Sequence, residues 1–299
     1  MTKIYFFIAT VLIWFNFSCS DSQNNSVKEK NTETENISGL VDTLKFIGET
    51  ATDLSTPESV KYDSVNQILY VSNINGKPSE KDGNGFISKI SLNDKVLDRK
   101  WVTGLDAPKG TGIYEGKLYV SDIDRLVEIS IKTGKILTVY PTDDAEFLND
   151  IDIDDAGNVY VSDMTSDRIF RLEDKIFSVW LQSDELVKPN GLFVKKGMLY
   201  VGVKNKILAI DIKTKEITTL FDNTGGIDGL EGIGNNQFVF SDWSGHIYIT
   251  EPDGTVKLLL NTAKNNIQAA DIEYCAEKDA IFVPTFYHNT ISTYKFIRN

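Results

Sequence analysis

Four side chains with oxygen donors stand at matched places along the chain: Glu58 in TPESV, Asn149 in FLNDI, Asn190 in KPNGL and Asp228 in GIDGL. Each lies 10 to 12 residues ahead of the second residue of a recurring apolar string, and Lys109 and Ala270 hold the same place before two further strings. If the six places converge, two carboxylates and two amide carbonyls meet at one point and repel unless a cation lies between them. Donors of that kind suit Ca²⁺, Mg²⁺ or Mn²⁺ rather than zinc or copper. The chain has two histidines, His246 and His288, too few for a histidine-built zinc centre. Asn-Gly and Asp-Gly pairs also make turns, so spacing alone leaves a turn reading open beside the metal reading. No GxSxG nucleophile elbow is present, and a covalent route has no support.

The elements that must position these residues follow from an internal repeat. The string LYVSN at 69–73 returns as LYVSD at 118–122 and VYVSD at 159–163. Weaker copies are LYVGV at 199–203, FVFSD at 238–242 and IFVPT at 281–285. Six copies at intervals of about 40 residues, built from short strands, predict an all-β, six-bladed β-propeller of four-stranded antiparallel blades. The third copy shows the four strands as IDIDD, NVYVSD, DRIFRL and FSVWL. The sixth copy has only three, and VDTLKFIG at 41–48 is a spare strand expected to complete it and close the ring. Residues 42–299 are assigned to the propeller.

Inner strands of a propeller surround its axis, so the six leading residues form a ring at one mouth of the channel. Loops beginning at Asn73, Asp122, Asp163, Asp242 and Thr285 share that face. Asp163, Asp242, Trp243, Phe286, Tyr287 and His288 are therefore candidates for ligand contact. The acids could instead cap turns, and the aromatics could pack between blades. The loop INGKPSEKDGNG at 74–85 reads either as a lid or as a solvated excursion. Asp152, Glu231 and Glu273, three positions past ring residues, are acids without an evident role.

The motifs resemble those of the senescence-marker-protein, gluconolactonase and regucalcin-like family of six-bladed propellers, over residues 42–299. In that family a Glu opening the first blade, an Asn in a PNGL-type motif and an Asp in a DG motif hold a divalent metal, positions matched here by Glu58, Asn190 and Asp228. An Asn in an FND-type motif lies beside metal and substrate, matched by Asn149. The resemblance implies a metal-dependent hydrolase of a sugar lactone or related cyclic ester, with Asp228 as ligand and general base. Asn149 and Lys109 would then position substrate. A basic residue that grips substrate just ahead of the FND motif in animal members has no counterpart, since Glu146 and Phe147 stand there. Lys109 could replace that charge or pair with Glu58 or Asp228. Competing classes are a non-catalytic, metal-containing ligand-binding propeller, a protein-interaction scaffold, and a lyase working through His246 or His288.

The N-terminus carries an address. Lys3 precedes the apolar run IYFFIATVLIWFNF, which has signal-peptide rather than membrane-span length. Ser18-Cys19-Ser20 after that run resembles the lipobox of a bacterial lipoprotein, so residues 1–18 are read as a signal peptide and Cys19 as the lipidated first residue, with an uncleaved anchor or an ordinary secretory signal as the alternatives. The polar stretch through residue 41 then reads as a disordered tether. This predicts an exported protein of the cell envelope, periplasmic or on the outer membrane, touching the bilayer only through its anchor. Cys275, left without a partner, reads as a small core residue. A net charge of −12 and a pI near 4.7 argue against nucleic acid as a partner. A closed propeller of this size is expected to be a monomer with a small-molecule ligand.

Overall fold

The computed structural model describes Met1 and residues 41–298. The signal peptide, Cys19 and the tether up to residue 40 lie outside the described residues. Val41, assigned above to the tether, already belongs to the first strand, where it is buried. Among the described residues no helix is long and apolar enough to cross a membrane.

Six four-stranded antiparallel sheets follow one another as blades, spanning residues 57–105, 108–141, 148–182, 192–222, 230–261 and 273–298. The last blade takes its outer strand from Val41–Glu49, which pairs antiparallel with Ile291–Arg298. That pairing closes the ring and covers an edge that would otherwise present unpaired backbone groups. Two 3₁₀ turns, Ala263–Asn265 and Phe286–His288, are the helical elements among the described residues.

The apolar strings form the second strand of each blade, and each packs against its neighbour. Tyr70 and Ile87 of blade 1 meet Leu118 and Val120 of blade 2. Tyr160 of blade 3 meets Leu199 and Val201 of blade 4. Val239 and Ile247 of blade 5 meet Ile281 and Val283 of blade 6. Cys275 and Phe282 join the last blade to Leu69 and Val71 of the first. The hydrophobic core is thus a ring of interfaces between blades.

The repeated serine and acid have structural work. Ser72, Ser162 and Ser241 accept hydrogen bonds from the inner-strand N–H groups of Ser59, Asp150 and Gly229, at 2.9–3.0 Å. Ser121 and Ser241 also donate to the carbonyls of Asn149 and Ala270 in the following blade. The acid or Asn that follows clamps the loop ahead of its own inner strand. Asp122 accepts from the N–H of Asp106 and Ala107, and Asp163 from Glu146 and Phe147. Each clamp fixes the chain two residues ahead of a ring residue, Lys109 or Asn149. In blades 1 to 3 the pairing with the second strand breaks at the ring residue, between Pro57 and Val60, Pro108 and Thr111, and Leu148 and Ile151. Glu58, Lys109 and Asn149 all fall within these irregularities.

The residues after the ring positions explain the glycines. Gly110, Gly191 and Gly229 are packed against the next inner strand rather than sitting at left-handed turns. A Cβ on Gly110 would lie 2.4 Å from the Asn149 carbonyl oxygen and 2.5 Å from the Asp150 Cα. At Gly229 it would lie 2.4 Å from the Ile272 nitrogen. Replacing Gly110 by Ala should therefore cost about 3 kcal/mol or more, because backbone must move to admit one methyl. Urea unfolding measures it, and a loss below 0.5 kcal/mol, the ordinary scatter of neutral substitutions, would show that the inner strands are not packed to contact.

Candidate functional site

A cavity of about 460 Å³ opens on the face where the inner strands begin. Five of the six ring residues, Glu58, Lys109, Asn149, Asn190 and Asp228, line it together. Ala270 does not; it closes the sixth position in an apolar cluster with Ile74, Ala107, Ile123 and Phe286. The Asn-Gly and Asp-Gly pairs bring the side chains of Asn190 and Asp228 to this cavity.

Polar partners are incomplete on this floor. Asn190 Nδ2 donates to Asp228 Oδ1 at 2.9 Å. Glu58 Oε2 and Asn149 Oδ1 are buried and have no hydrogen-bond partner among the described residues. Lys109, only 1% exposed, donates to the Ala107 carbonyl at 3.1 Å, and its ammonium lies 4.2 Å from the Phe147 ring centroid. Lys109 thus stacks on a ring and pairs directly with neither Glu58 nor Asp228. Burial, reinforced by the charges of Asp228 and Asp271, holds the Glu58 carboxyl well above its usual range. Burial and Asp271 likewise push Asp228 up to about 7 despite the Asn190 hydrogen bond. Burial lowers Lys109 to about 8, against the opposing pull of Glu58, Asp122 and Asp163.

These residues fit a hard divalent cation. The orphaned oxygens of Glu58 and Asn149 are the donor type such an ion takes, and positive charge there would stabilise both carboxylates. Among the described residues no three His, Cys, Asp or Glu side chains are grouped to hold a metal. A cation here would therefore depend on the amide oxygens of Asn149 and Asn190 as well as on Glu58 and Asp228.

One layer deeper, the acids without an evident role surround Lys61. Its Nζ lies 2.8 Å from Glu273 Oε2 and 3.6 Å from Glu231 Oε1. Glu273 Oε1 accepts from the Tyr62 N–H, and Asp152 Oδ2 accepts from the Val194 N–H. Burial opposes the Lys61 charge, yet Glu273, Glu231 and Asp152 outweigh it and hold the ammonium well above its ordinary value. These acids join neighbouring inner strands across the channel.

The rim separates the other candidates. Asp242, Trp243, Phe286 and Tyr287 line the cavity. Asp163 does not: it is fully buried, and its oxygens are taken by the N–H groups of Glu146, Phe147, Thr165 and Ser166. His288 also lies off the lining, with Nε2 3.8 Å from Glu49. Asp242 differs from the other repeated acids in binding the His246 imidazole Nδ1 at 2.9 Å and the His246 N–H. From the 74–85 loop, Ile74 and Pro78 reach the cavity.

Ile74, Met164, Trp243 and Phe286 were not legible as a group, although the repeat relates them. Each is the residue immediately after the repeated acid or its equivalent, and each lines the cavity. Ile123, the fifth such residue, is buried beside them, and in blade 4 the position is the exposed Lys204. Phe286 is held at a positive φ of 49°, uncommon for a bulky side chain, by the Thr285–Thr290 hydrogen bonds that close its turn.

No family model matches the chain, and no curated protein matches it in sequence. Solved structures share its fold. A catalytically inactive virginiamycin B lyase from Staphylococcus aureus, with quinupristin, superposes with a TM-score of 0.58 at 16% identity, covering 85% of this chain and 99% of that one. The WD40 β-propeller domain of Doa1 gives 0.61 at 13% identity, covering 86% and 96%. The extracellular domain of a putative one-component system from B. thetaiotaomicron gives 0.53 at 14%, covering 80% of this chain and a third of its own. At such identities the likeness is one of fold: this chain is a six-bladed β-propeller.

The raised carboxylates set a pH dependence. A carboxyl whose pKa is higher in the folded state keeps its proton there after the unfolded chain has lost it. Stability therefore falls as pH rises from the unfolded pKa, about 4, towards the folded value. Asp271 at about 6 and Asp228 at about 7 place this loss between about pH 4 and pH 7, below the Lys109 titration. In chelator, the melting temperature should drop across that window, and Ca²⁺ or Mn²⁺ should raise it more at pH 7.5 than at pH 5. A flat profile in chelator would show that the floor carboxylates are not desolvated.

Proposed function

We propose that the chain is a divalent-metal-dependent hydrolase of lactones or related cyclic esters. The observation that carries this reading is the pair of buried, unpartnered oxygens on Glu58 and Asn149, set in one floor with Asp228 and Asn190. The motif resemblance to the gluconolactonase and regucalcin-like propellers supports the same set. Glu58, Asn149, Asn190 and Asp228 would hold the cation. When bound, Ca²⁺, Mg²⁺ or Mn²⁺ supplies carbonyl polarisation and activation of water.

The chain's own residues complete the chemistry. The Asp228 carboxylate, oriented by the Asn190 amide, takes a proton from the attacking water. The hydroxide oxygen bonds to the carbonyl carbon, and the ring C–O bond breaks. The departing alkoxide takes back the proton that Asp228 received from the water, which leaves a hydroxy acid and restores the Asp228 carboxylate. Lys109 keeps an ammonium at the floor, beside the place where negative charge develops on the oxyanion. His-centred lyase chemistry draws less support, because neither His246 nor His288 lines the cavity.

The same proposal places the protein at the cell envelope, anchored through Cys19. Replacing Cys19 by Ser should move the expressed full chain from the membrane fraction to a soluble one, and unchanged membrane association would remove the anchor. For the activity, Asp228→Ala should lower metal-dependent lactone turnover by about 10³-fold or more in a chain that still unfolds cooperatively, the scale expected for a residue acting as ligand and base. Acid release followed at constant pH measures it. Metal binding without turnover would leave the ligand-binding propeller as the surviving reading.

A further inference from the structure

The cavity is built from two rings of opposite character. Its floor carries every charged ring residue, while its wall is formed by the residues that follow the repeated acid. Ile74, Met164, Trp243 and Phe286 come from four different blades, and Phe147 and Tyr287 also line the cavity. Trp243 makes edge contacts with Phe286 at 5.4 Å and Tyr287 at 5.8 Å between centroids. Yet Trp243 remains 43% exposed and Tyr287 62% exposed, leaving aromatic surface at the mouth without a protein partner.

Polar groups on the wall are few. Above the floor, the polar groups on side chains of the lining are Asp242, Ser244, the Tyr287 phenol and the Trp243 indole N–H, and Asp242 already binds His246. A polyhydroxylated ring would have to give up water at several hydroxyls with few partners in exchange, at about 1–3 kcal/mol for each one left unpaired. An alkyl or aryl body loses no hydrogen bond there and gains contact with the aromatic faces.

We infer that the ligand is amphipathic, with one ester or lactone head at the polar floor and an alkyl or aryl body against the wall formed by Trp243, Phe286, Met164 and Ile74. The nature of the head rests on the hydrolase reading; the apolar body rests on the wall. Sugar lactones, the class implied by the motif resemblance, are then poor ligands here.

Two six-membered lactones that differ mainly in their substituents separate the possibilities: δ-decalactone, with a pentyl chain, and D-glucono-δ-lactone, with hydroxyls. The full mature protein is assayed with Mn²⁺ or Ca²⁺ for turnover of each, and by calorimetry for binding of each. The δ-decalactone kcat/KM should exceed that of the sugar lactone by about 10-fold or more, the scale of one or two well-packed apolar groups. Trp243→Ala should raise KM for δ-decalactone by about 10-fold with kcat little changed, and Trp243→Phe should restore most of the loss. Equal or better turnover of the sugar lactone would overturn this inference and leave the hydrolase reading standing. Saturable binding of δ-decalactone without turnover of either would do the reverse, supporting the apolar ligand and removing the hydrolase. Absence of δ-decalactone binding would overturn the inference whatever the catalytic result.

Discussion

Six inner strands converge on one axis with little space between them, and most features of the molecule follow from that crowding. Where Gly110, Gly191 and Gly229 stand, a methyl group would collide with the backbone of the next strand. Pairing with the second strand breaks at Glu58, Lys109 and Asn149. The channel-facing edge of each inner strand has no further strand to pair with, so its N–H groups need other acceptors, and side chains supply them. Asp150 takes the Leu192 N–H, Asp152 takes Val194 and Glu273 takes Tyr62. Carboxylates thus do in the channel what a backbone ladder does elsewhere in the blades.

This arrangement concentrates negative charge in a dry place, which is costly unless compensated. The deeper layer is compensated only in part from within the chain, by Lys61 against Glu231, Glu273 and Asp152, and burial still holds the Glu231 and Asp152 carboxyls above their usual range. In the upper layer the one cation, Lys109, stacks on Phe147 and forms no direct ion pair with Glu58 or Asp228. A carboxylate and an amide oxygen on the same floor stay unpartnered. The two layers use the same strands, but only the upper one opens into the cavity with amide side chains beside its carboxylates, and the proposal of a cation rests on that difference.

Much of this was legible in the sequence because a propeller writes its geometry as a period. The YVSD-like strings gave the blades, and a constant offset from them gave the ring. The closing strand was visible as three strands at one end and a spare at the other. What stayed illegible had a period in chemical class but none in residue identity. Ile74, Met164, Trp243 and Phe286 share a position and an apolar character but no letter, so the two aromatics stood out as candidates while Ile74 and Met164 did not. Identical letters can also part company. Asp163 and Asp242 end the same motif, yet one clamps backbone N–H groups while the other turns to His246 and the cavity. His288 and Tyr287 are neighbours on one short 3₁₀ turn, which sends the tyrosine to the cavity lining and the histidine towards Glu49.

The central claim is the cation on the upper floor, and diffraction tests it most directly. Crystals of the protein grown with millimolar Mn²⁺ and measured on the long-wavelength side of the iron edge should give one strong anomalous peak among Glu58, Asn149, Asn190 and Asp228. A channel without a peak, or one occupied only at the Lys61 layer, would contradict the account.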